Sequence, residues 1–262
     1  MKQHWIESNS CKLSVTILGE GKPLLMLHGW GSNSKVMLPL ARQMAAFRQI
    51  IIPDLAGFGD SPEPPRAFSV QDYANLIPDL LQKLEIEKCD VLSHSFGGRM
   101  MLKLLSDSNT STLFDKVLIT GGAGMKPKRG LGYYRRLYTA KLLKAPFLLL
   151  PGSLREKSLA WLRQTAVWKS LGSGEYKELS GVMRETFVKT VTEYLEPTLP
   201  KIQQEVFLLW GENDDATPVY QAKRMDDRLK NSALVTIPDA GHYAFLDQPQ
   251  KFLAIAKAYF EG

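Results

Sequence analysis

Two kinds of hydrophobic spacing alternate along this chain. Compact apolar runs at Leu24–Leu27, Ile50–Ile52, Cys89–Leu92, Lys116–Thr120, Val206–Trp210 and Ala233–Ile237 have the length and bounds of buried strands. Between them lie stretches with helical spacing, near Lys35–Phe47, Val70–Leu84, Gly98–Ser106, Val219–Leu229 and Pro249–Phe260. Ile6–Leu18 reads as an N-terminal strand pair. Pro78 is expected to kink or interrupt its helix, because proline lacks the N–H and crowds the preceding turn. Strands alternating with helices predict an α/β domain with a mainly parallel sheet covered on both faces. The rhythm stops between Met125 and Leu199, where helices are predicted instead over Leu131–Lys144, Leu154–Lys169 and Tyr176–Tyr194.

Four of the strand ends carry chemistry. After Cys89–Leu92 comes Ser93-His94-Ser95-Phe96-Gly97-Gly98: a strand, a sharp turn bearing a hydroxyl, and a glycine pair opening a helix. Such a turn holds its serine in a strained conformation and needs small residues on both sides. Gly97 meets that demand, while Ser93 stands where Gly is usual. A serine hydroxyl needs a base, and the base needs an orienting group. Of the histidines His4, His28, His94 and His242, the first lies in the entry segment and the next two at core strand ends. His242 remains, on the Gly241-His242 loop after Ala233–Ile237, at the sheet edge where open α/β sheets bind ligands. The run Gly211-Glu212-Asn213-Asp214-Asp215 follows Val206–Trp210 and supplies carboxylates. Leu24–Leu27 leads into His28-Gly29-Trp30-Gly31. The stretch Pro53–Ser61 holds Gly57 and Gly59 but lacks the full glycine set of a dinucleotide loop.

Together these pieces resemble the α/β-hydrolase superfamily across nearly the whole chain. The resemblance implies an α/β-hydrolase fold: a mainly parallel eight-stranded sheet flanked by helices, with a helical cap inserted at residues 125–199 between core segments 1–124 and 200–262. It implies a nucleophile elbow at Ser95 and the chain order serine, acid, histidine. Asp214 is then the acid, with Asp215 the second choice, and His242 the base. Oxyanion donors are expected at the backbone N–H groups of Phe96 and Trp30, with His28 holding the loop. The Asp54 stretch is the family's structural turn. Substrate contacts are expected from Arg99 and from the cap aromatics Tyr133, Tyr134 and Trp161. The aromatics Tyr138, Phe147 and Trp168 equally suit packing of the cap.

Composition narrows the setting. A chain of 262 residues that is 44% hydrophobic suits one large domain with an insertion. No apolar run is long enough to span a membrane, and the start lacks the apolar segment of a secretory signal. Cys11 and Cys89 are expected as free thiols in a reducing cytoplasm. The histidines and cysteines show no metal-ligand spacing, and no cofactor is implied. Charge is segregated: Met125–Lys169 holds eleven Lys and Arg against Glu156 alone, a net +10 in a chain of +6. Such a field can steer an acidic carrier protein, a CoA-like phosphate or an anionic membrane surface, or can be a solvated helical face. No nucleic-acid recognition motif is present.

The expected activity is hydrolysis of a carboxylic ester, as in the pimeloyl-acyl-carrier-protein methyl ester esterases that the chain is similar to. Carbon–carbon hydrolases share the resemblance, as does the menaquinone-pathway lyase, whose basic position after the elbow Arg99 matches. A ligand-sensing or signalling protein with little turnover is the third expectation. Dehalogenases and epoxide hydrolases carry aspartate where this chain has Ser95.

Overall fold

The computed structural model describes residues 2–165, 179 and 181–262, leaving aside the side chains of Tyr133, Arg136, Ala160 and Arg163. Two compact units emerge, Met1–Lys126 with Glu185–Gly262, and Pro127–Arg184. The expected residue Trp168, the end of the Leu154–Lys169 helix and the start of the Tyr176–Tyr194 helix lie outside the described residues.

The first unit carries an eight-stranded sheet. Its strands are β1 (Lys2–Ser8), β2 (Cys11–Leu18), β3 (Pro23–Leu27), β4 (Gln49–Pro53), β5 (Cys89–His94), β6 (Phe114–Thr120), β7 (Val206–Gly211) and β8 (Ser232–Ile237). They lie in the order β1-β2-β4-β3-β5-β6-β7-β8. β2 pairs antiparallel with β1 and β4, and every other neighbour is parallel. The helices between strands are α1 (Ser34–Met44), α2 (Val70–Lys83), α3 (Phe96–Leu105) and the single turn α4 (Ser108–Ser111). After the other unit come α8 (Val219–Asp226), the short α9 (Ala244–Asp247) and α10 (Pro249–Glu261).

Strands buried on both faces explain the unbroken apolar runs. Leu24, Met26, Ile50, Ile52, Leu92 and Leu118 join a cluster with Met37, Leu40 and Met44 of α1 and Phe245, Phe252 and Phe260 near the C-terminus. The alternate residues Leu25, Ile51, Val91 and Ile119 are equally buried, so the opposite face is covered too. Cys11 and Cys89 are free and buried.

Pro78 does not interrupt its helix, one of the two outcomes expected of it: α2 runs through the proline without a break. The Asn9 side-chain amide donates to the Asn75 carbonyl and the Ser8 hydroxyl to the Leu76 carbonyl, which ties the helix to the β1–β2 hairpin. A capping box of Ser69 and Asp72 secures the start.

The second unit holds α5 (Leu131–Leu148) and α6 (Gly152–Gln164), and α7 (Gly181–Val191) straddles the division. The sequence placed residues 185–199 with the insertion, but they belong to the sheet unit because their polar groups are committed there. Thr186 Oγ1 accepts the Phe68 N–H at 3.1 Å, Lys189 donates to the Ala67 carbonyl at 3.0 Å, and the Leu195 N–H donates to the Gly124 carbonyl at 2.8 Å. No helix among the described residues is long and apolar enough to cross a membrane.

Candidate active site

Parallel strands bring their carboxyl ends to one edge, so the loops after β3, β5, β7 and β8 meet there. β5 ends at His94 and α3 begins at Phe96, leaving Ser95 alone to make the turn. Its backbone adopts φ +52° and ψ −108°, a conformation that costs a non-glycine residue on the order of 1–3 kcal/mol. Neighbouring backbone holds it there. The Ser95 N–H donates to the Thr120 carbonyl at 3.0 Å, and the Ser95 carbonyl accepts from Ala123 at 2.9 Å. A Cβ on Gly97 would lie 2.6 Å from the Leu27 carbonyl oxygen, so no larger residue fits. Ser93, at the position where Gly is usual, is fully buried between Leu27 and Ile119, and its hydroxyl donates to the Leu118 carbonyl at 3.4 Å. The departure from the usual pattern is therefore absorbed inside the sheet.

His242 Nε2 lies 3.0 Å from Ser95 Oγ, and its Nδ1 lies 2.9 Å from Asp214 Oδ2. Asp214 is buried, whereas Asp215 is exposed, so the structure aims the first carboxylate at the imidazole and turns the second to solvent. An Nδ1–H donating to the ionised carboxylate leaves the Nε2 lone pair facing the hydroxyl. Burial by itself raises the Asp214 carboxyl; the hydrogen bond and charge of His242, with the N–H and hydroxyl of Thr217, outweigh it and hold the group below its ordinary value. The Thr217 N–H reaches Oδ1 and its hydroxyl Oδ2, both at 2.8 Å. Trp210 Nε1 donates to the Thr217 carbonyl at 2.7 Å and so anchors this loop to β7. Gly121, at φ +55°, passes under the ring: a Cβ there would lie 3.0 Å from His242 Nδ1.

The other core histidines have different duties. His28 Nδ1 donates to the Gly29 carbonyl at 2.7 Å, and Nε2 accepts the Leu55 N–H at 3.0 Å. Both nitrogens are engaged, burial holds its pKa low, and the ring pins the loop as the sequence suggested. His94 Nε2 donates to the His242 carbonyl at 3.0 Å. Burial first, and then the charge of His242, push its pKa down to about 3, so it stays neutral.

The loop after β3 runs against the serine. A Cβ built on Gly29 would lie 3.1 Å from Ser95 Cβ. Trp30 is set by edge-to-face contacts with Phe58, Phe96 and Phe187, at centroid distances of 4.9, 5.4 and 5.2 Å. Phe96 is the first residue of α3, where no helical carbonyl lies one turn back to take its N–H. Asp54 is a structural turn: its carboxylate accepts the Ser34 N–H at 2.6 Å and the Asp60 N–H at 3.0 Å.

Arg99 corrects the sequence expectation of a substrate contact. It is buried, and one guanidinium nitrogen donates to the carbonyls of Thr190 and Glu193, so it fastens the last turn of α7 and the residues after it to α3. Tyr134 and Trp161 are exposed on α5 and α6 of the second unit; Tyr133 lies on α5 with its side chain outside the described residues. Sequence reasoning missed Thr217, His94 and Gly121 as parts of the site. The Gly121-Gly122-Ala123-Gly124 run after a strand was the available signal for the last. Among the described residues no group of His, Cys, Asp and Glu could hold a metal ion.

Comparison with known proteins agrees with this architecture. The family described as the alpha/beta hydrolase fold matches residues 22–249. The chain is 27% identical to a pimeloyl-[acyl-carrier protein] methyl ester esterase of Aeromonas salmonicida, over 95% of this chain and 99% of that one. It is 25% identical to a 2-hydroxymuconate semialdehyde hydrolase of Pseudomonas sp. strain CF600, over 90% and 86%. Among solved structures, an esterase from Exiguobacterium antarcticum superposes with a TM-score of 0.75 at 21% identity, over 98% of this chain and 99% of that one. On its sequence match and its sheet, the chain belongs to the α/β-hydrolase fold family.

Proposed function

We propose that this protein is a serine hydrolase that cleaves a carboxylic ester through Ser95, His242 and Asp214. The observation that carries the reading is the continuous relay from Ser95 Oγ through His242 to the buried Asp214 carboxylate, with links of 3.0 and 2.9 Å. As Ser95 Oγ bonds to the ester carbonyl carbon, its proton passes to His242 Nε2, and Asp214 stabilises the imidazolium. The N–H groups of Trp30 and Phe96 take the developing oxyanion. The tetrahedral adduct collapses, and the alcohol departs with the proton from Nε2. Water, deprotonated by the same nitrogen, then releases the carboxylic acid and restores Ser95. Kinship with a methyl ester esterase supports an ester substrate, and the basic Met125–Lys169 segment is compatible with an acidic carrier on the acyl group.

Kinship with a 2-hydroxymuconate semialdehyde hydrolase favours one other reading, carbon–carbon hydrolysis by the same residues. The lyase reading loses support, since Arg99, the residue that suggested it, is engaged by backbone carbonyls. Fluorophosphonate labelling followed by a p-nitrophenyl ester series of increasing acyl length tests the proposal. Labelling and turnover abolished by Ser95→Ala, with kcat falling on the order of 10⁵-fold or more, is the expected result. A labelled enzyme silent on every ester but active on a vinylogous diketone would move the assignment to carbon–carbon chemistry.

A further inference from the structure

α5 carries apolar residues on two faces, where a surface helix needs only one. Leu137, Leu143 and Phe147 are half-buried, and the Phe147 ring lies 6.4 Å from that of Trp161 on α6. The other side is open to solvent. Leu131 is 89% exposed, Tyr138 59%, Leu142 73%, and Leu149, just past the helix end, 88%; Tyr134 is exposed with them. At the α-helical repeat these five side chains fall within an arc of about 80°. Arg135 borders one edge of that arc and Lys141 the other, with the Lys141 ammonium 5.6 Å from the Tyr138 ring centroid. No acidic residue occurs on α5, and the surrounding Met125–Lys169 segment is net +10. Isolated exposed leucines are ordinary, but a continuous stripe edged by cations is not.

We infer that this face of α5 docks on an anionic lipid surface. Leu131, Tyr138, Leu142 and Leu149 enter the boundary between headgroups and acyl chains, while Arg135 and Lys141 extend to the phosphates. An acidic protein would satisfy the charge, but would need a matching apolar groove of its own for the stripe. An anionic bilayer offers phosphates and hydrocarbon side by side along the whole helix, which is the order in which α5 presents cations and leucines. The inference is independent of the chemistry at Ser95, because binding is read without turnover.

The test is cosedimentation of the full-length Ser95→Ala protein with vesicles of equimolar phosphatidylglycerol and phosphatidylcholine, and with vesicles of phosphatidylcholine alone. Binding is expected to the anionic vesicles only. Reversing Arg135 and Lys141 together to Glu should lower partitioning about 25-fold or more, at roughly fivefold per surface cation removed. Leu142→Glu should lower it about tenfold or more through lost apolar burial. Lys201→Glu, an exposed reversal in the other unit, should leave it nearly unchanged. Thermal unfolding of each variant checks that it is folded. Absence of binding to anionic vesicles, Leu142→Glu binding like the parent, or equal loss with Lys201→Glu would each overturn the inference. So would capture of a purified acidic acyl-carrier protein, lost on reversing Arg135 and Lys141, by a protein that ignores the vesicles.

Discussion

The loops around Ser95 and the outer face of α5 follow opposite rules. At the sheet edge the Ser95 hydroxyl, the His242 ring and the Asp214 carboxylate are each given a partner, down to a threonine that supplies both N–H and O–H to that carboxylate. On α5, leucines stand almost fully in water among charges of one sign. The first arrangement is stiff and specific because an unpaired buried polar atom costs about 1–3 kcal/mol. The second tolerates change, since nothing packs around it. A site built by the first rule should fail sharply when a single atom changes, and a surface built by the second should fail only in association.

The sharpest contrast comes from replacing an atom without changing shape. Asp214→Asn puts an N–H₂ where Oδ2 now accepts from His242 Nδ1. The imidazole then favours the tautomer with the proton on Nε2 and cannot accept one from Ser95. We expect kcat to drop on the order of 10⁴-fold with little change in KM for a p-nitrophenyl ester. Steady-state kinetics at saturating ester, with active-site titration to count competent enzyme, is the check. A loss below tenfold would mean that Asp214 does not orient the base.

A single methyl group is the next test. Gly121→Ala places a Cβ 3.0 Å from His242 Nδ1 and Cε1, at a backbone φ of +55°. The ring must tilt off its line between Asp214 and Ser95, and misplacement near 1 Å costs about 10²-fold in rate. The expected result is a fall of about that size in kcat, with a stability loss of roughly 1–2 kcal/mol from the left-handed backbone. Crystallography of the variant would show the displaced imidazole; an unmoved ring with unchanged kcat would refute the argument.

The fold was legible because strands and glycines leave periodic marks. Ser95 and Gly97 could be read together since only a tight strand-to-helix turn asks for them at that spacing, and the order of strand ends then singled out Asp214 and His242. The family supplied that order; composition alone does not tell Asp214 from Asp215. Thr217 was invisible, because a threonine three residues after an aspartate is common and its value depends on the loop turning its N–H and hydroxyl back onto the Asp214 carboxylate, each at 2.8 Å. Arg99 was misread for a related reason: a cation near a nucleophile suggests a ligand, and only the placement of the Thr190 carbonyl reveals a structural clasp. The Pro78 helix shows that a local rule yields to packing, since Tyr73, Ala74, Leu76, Ile77, Leu80 and Leu81 on either side of the proline are all buried.

Acid should act on the buried side before it acts on the exposed one. His94 is held at about 3 in the native state, against about 6.5 in an unfolded chain. Between those values the unfolded chain binds a proton that the native protein does not, so the contribution is complete above about pH 6.5 and declines as pH falls towards about 3. By pH 5 the loss reaches about 2 kcal/mol. Urea unfolding at pH 7 and pH 5 measures it, and His94→Gln, whose amide can keep the donor to the His242 carbonyl, should lose correspondingly less over that interval. Equal pH sensitivity in both proteins would assign the effect to other groups.

The smallest effect is expected where the second rule holds. Leu142→Ser removes an isobutyl group that is 73% exposed, so little apolar burial is lost and no cavity opens. Stability should stay within about 0.5 kcal/mol of the parent, and kcat/KM on a water-soluble ester such as p-nitrophenyl acetate should not change. Leu92→Ala in β5, fully buried and three residues before Ser95, should instead cost about 2–5 kcal/mol. Paired urea titrations decide it. If Leu142→Ser proved as damaging as Leu92→Ala, the leucine would be covered in the folded protein in solution, and its exposure on α5 could no longer be the reason for assigning this face to a lipid surface.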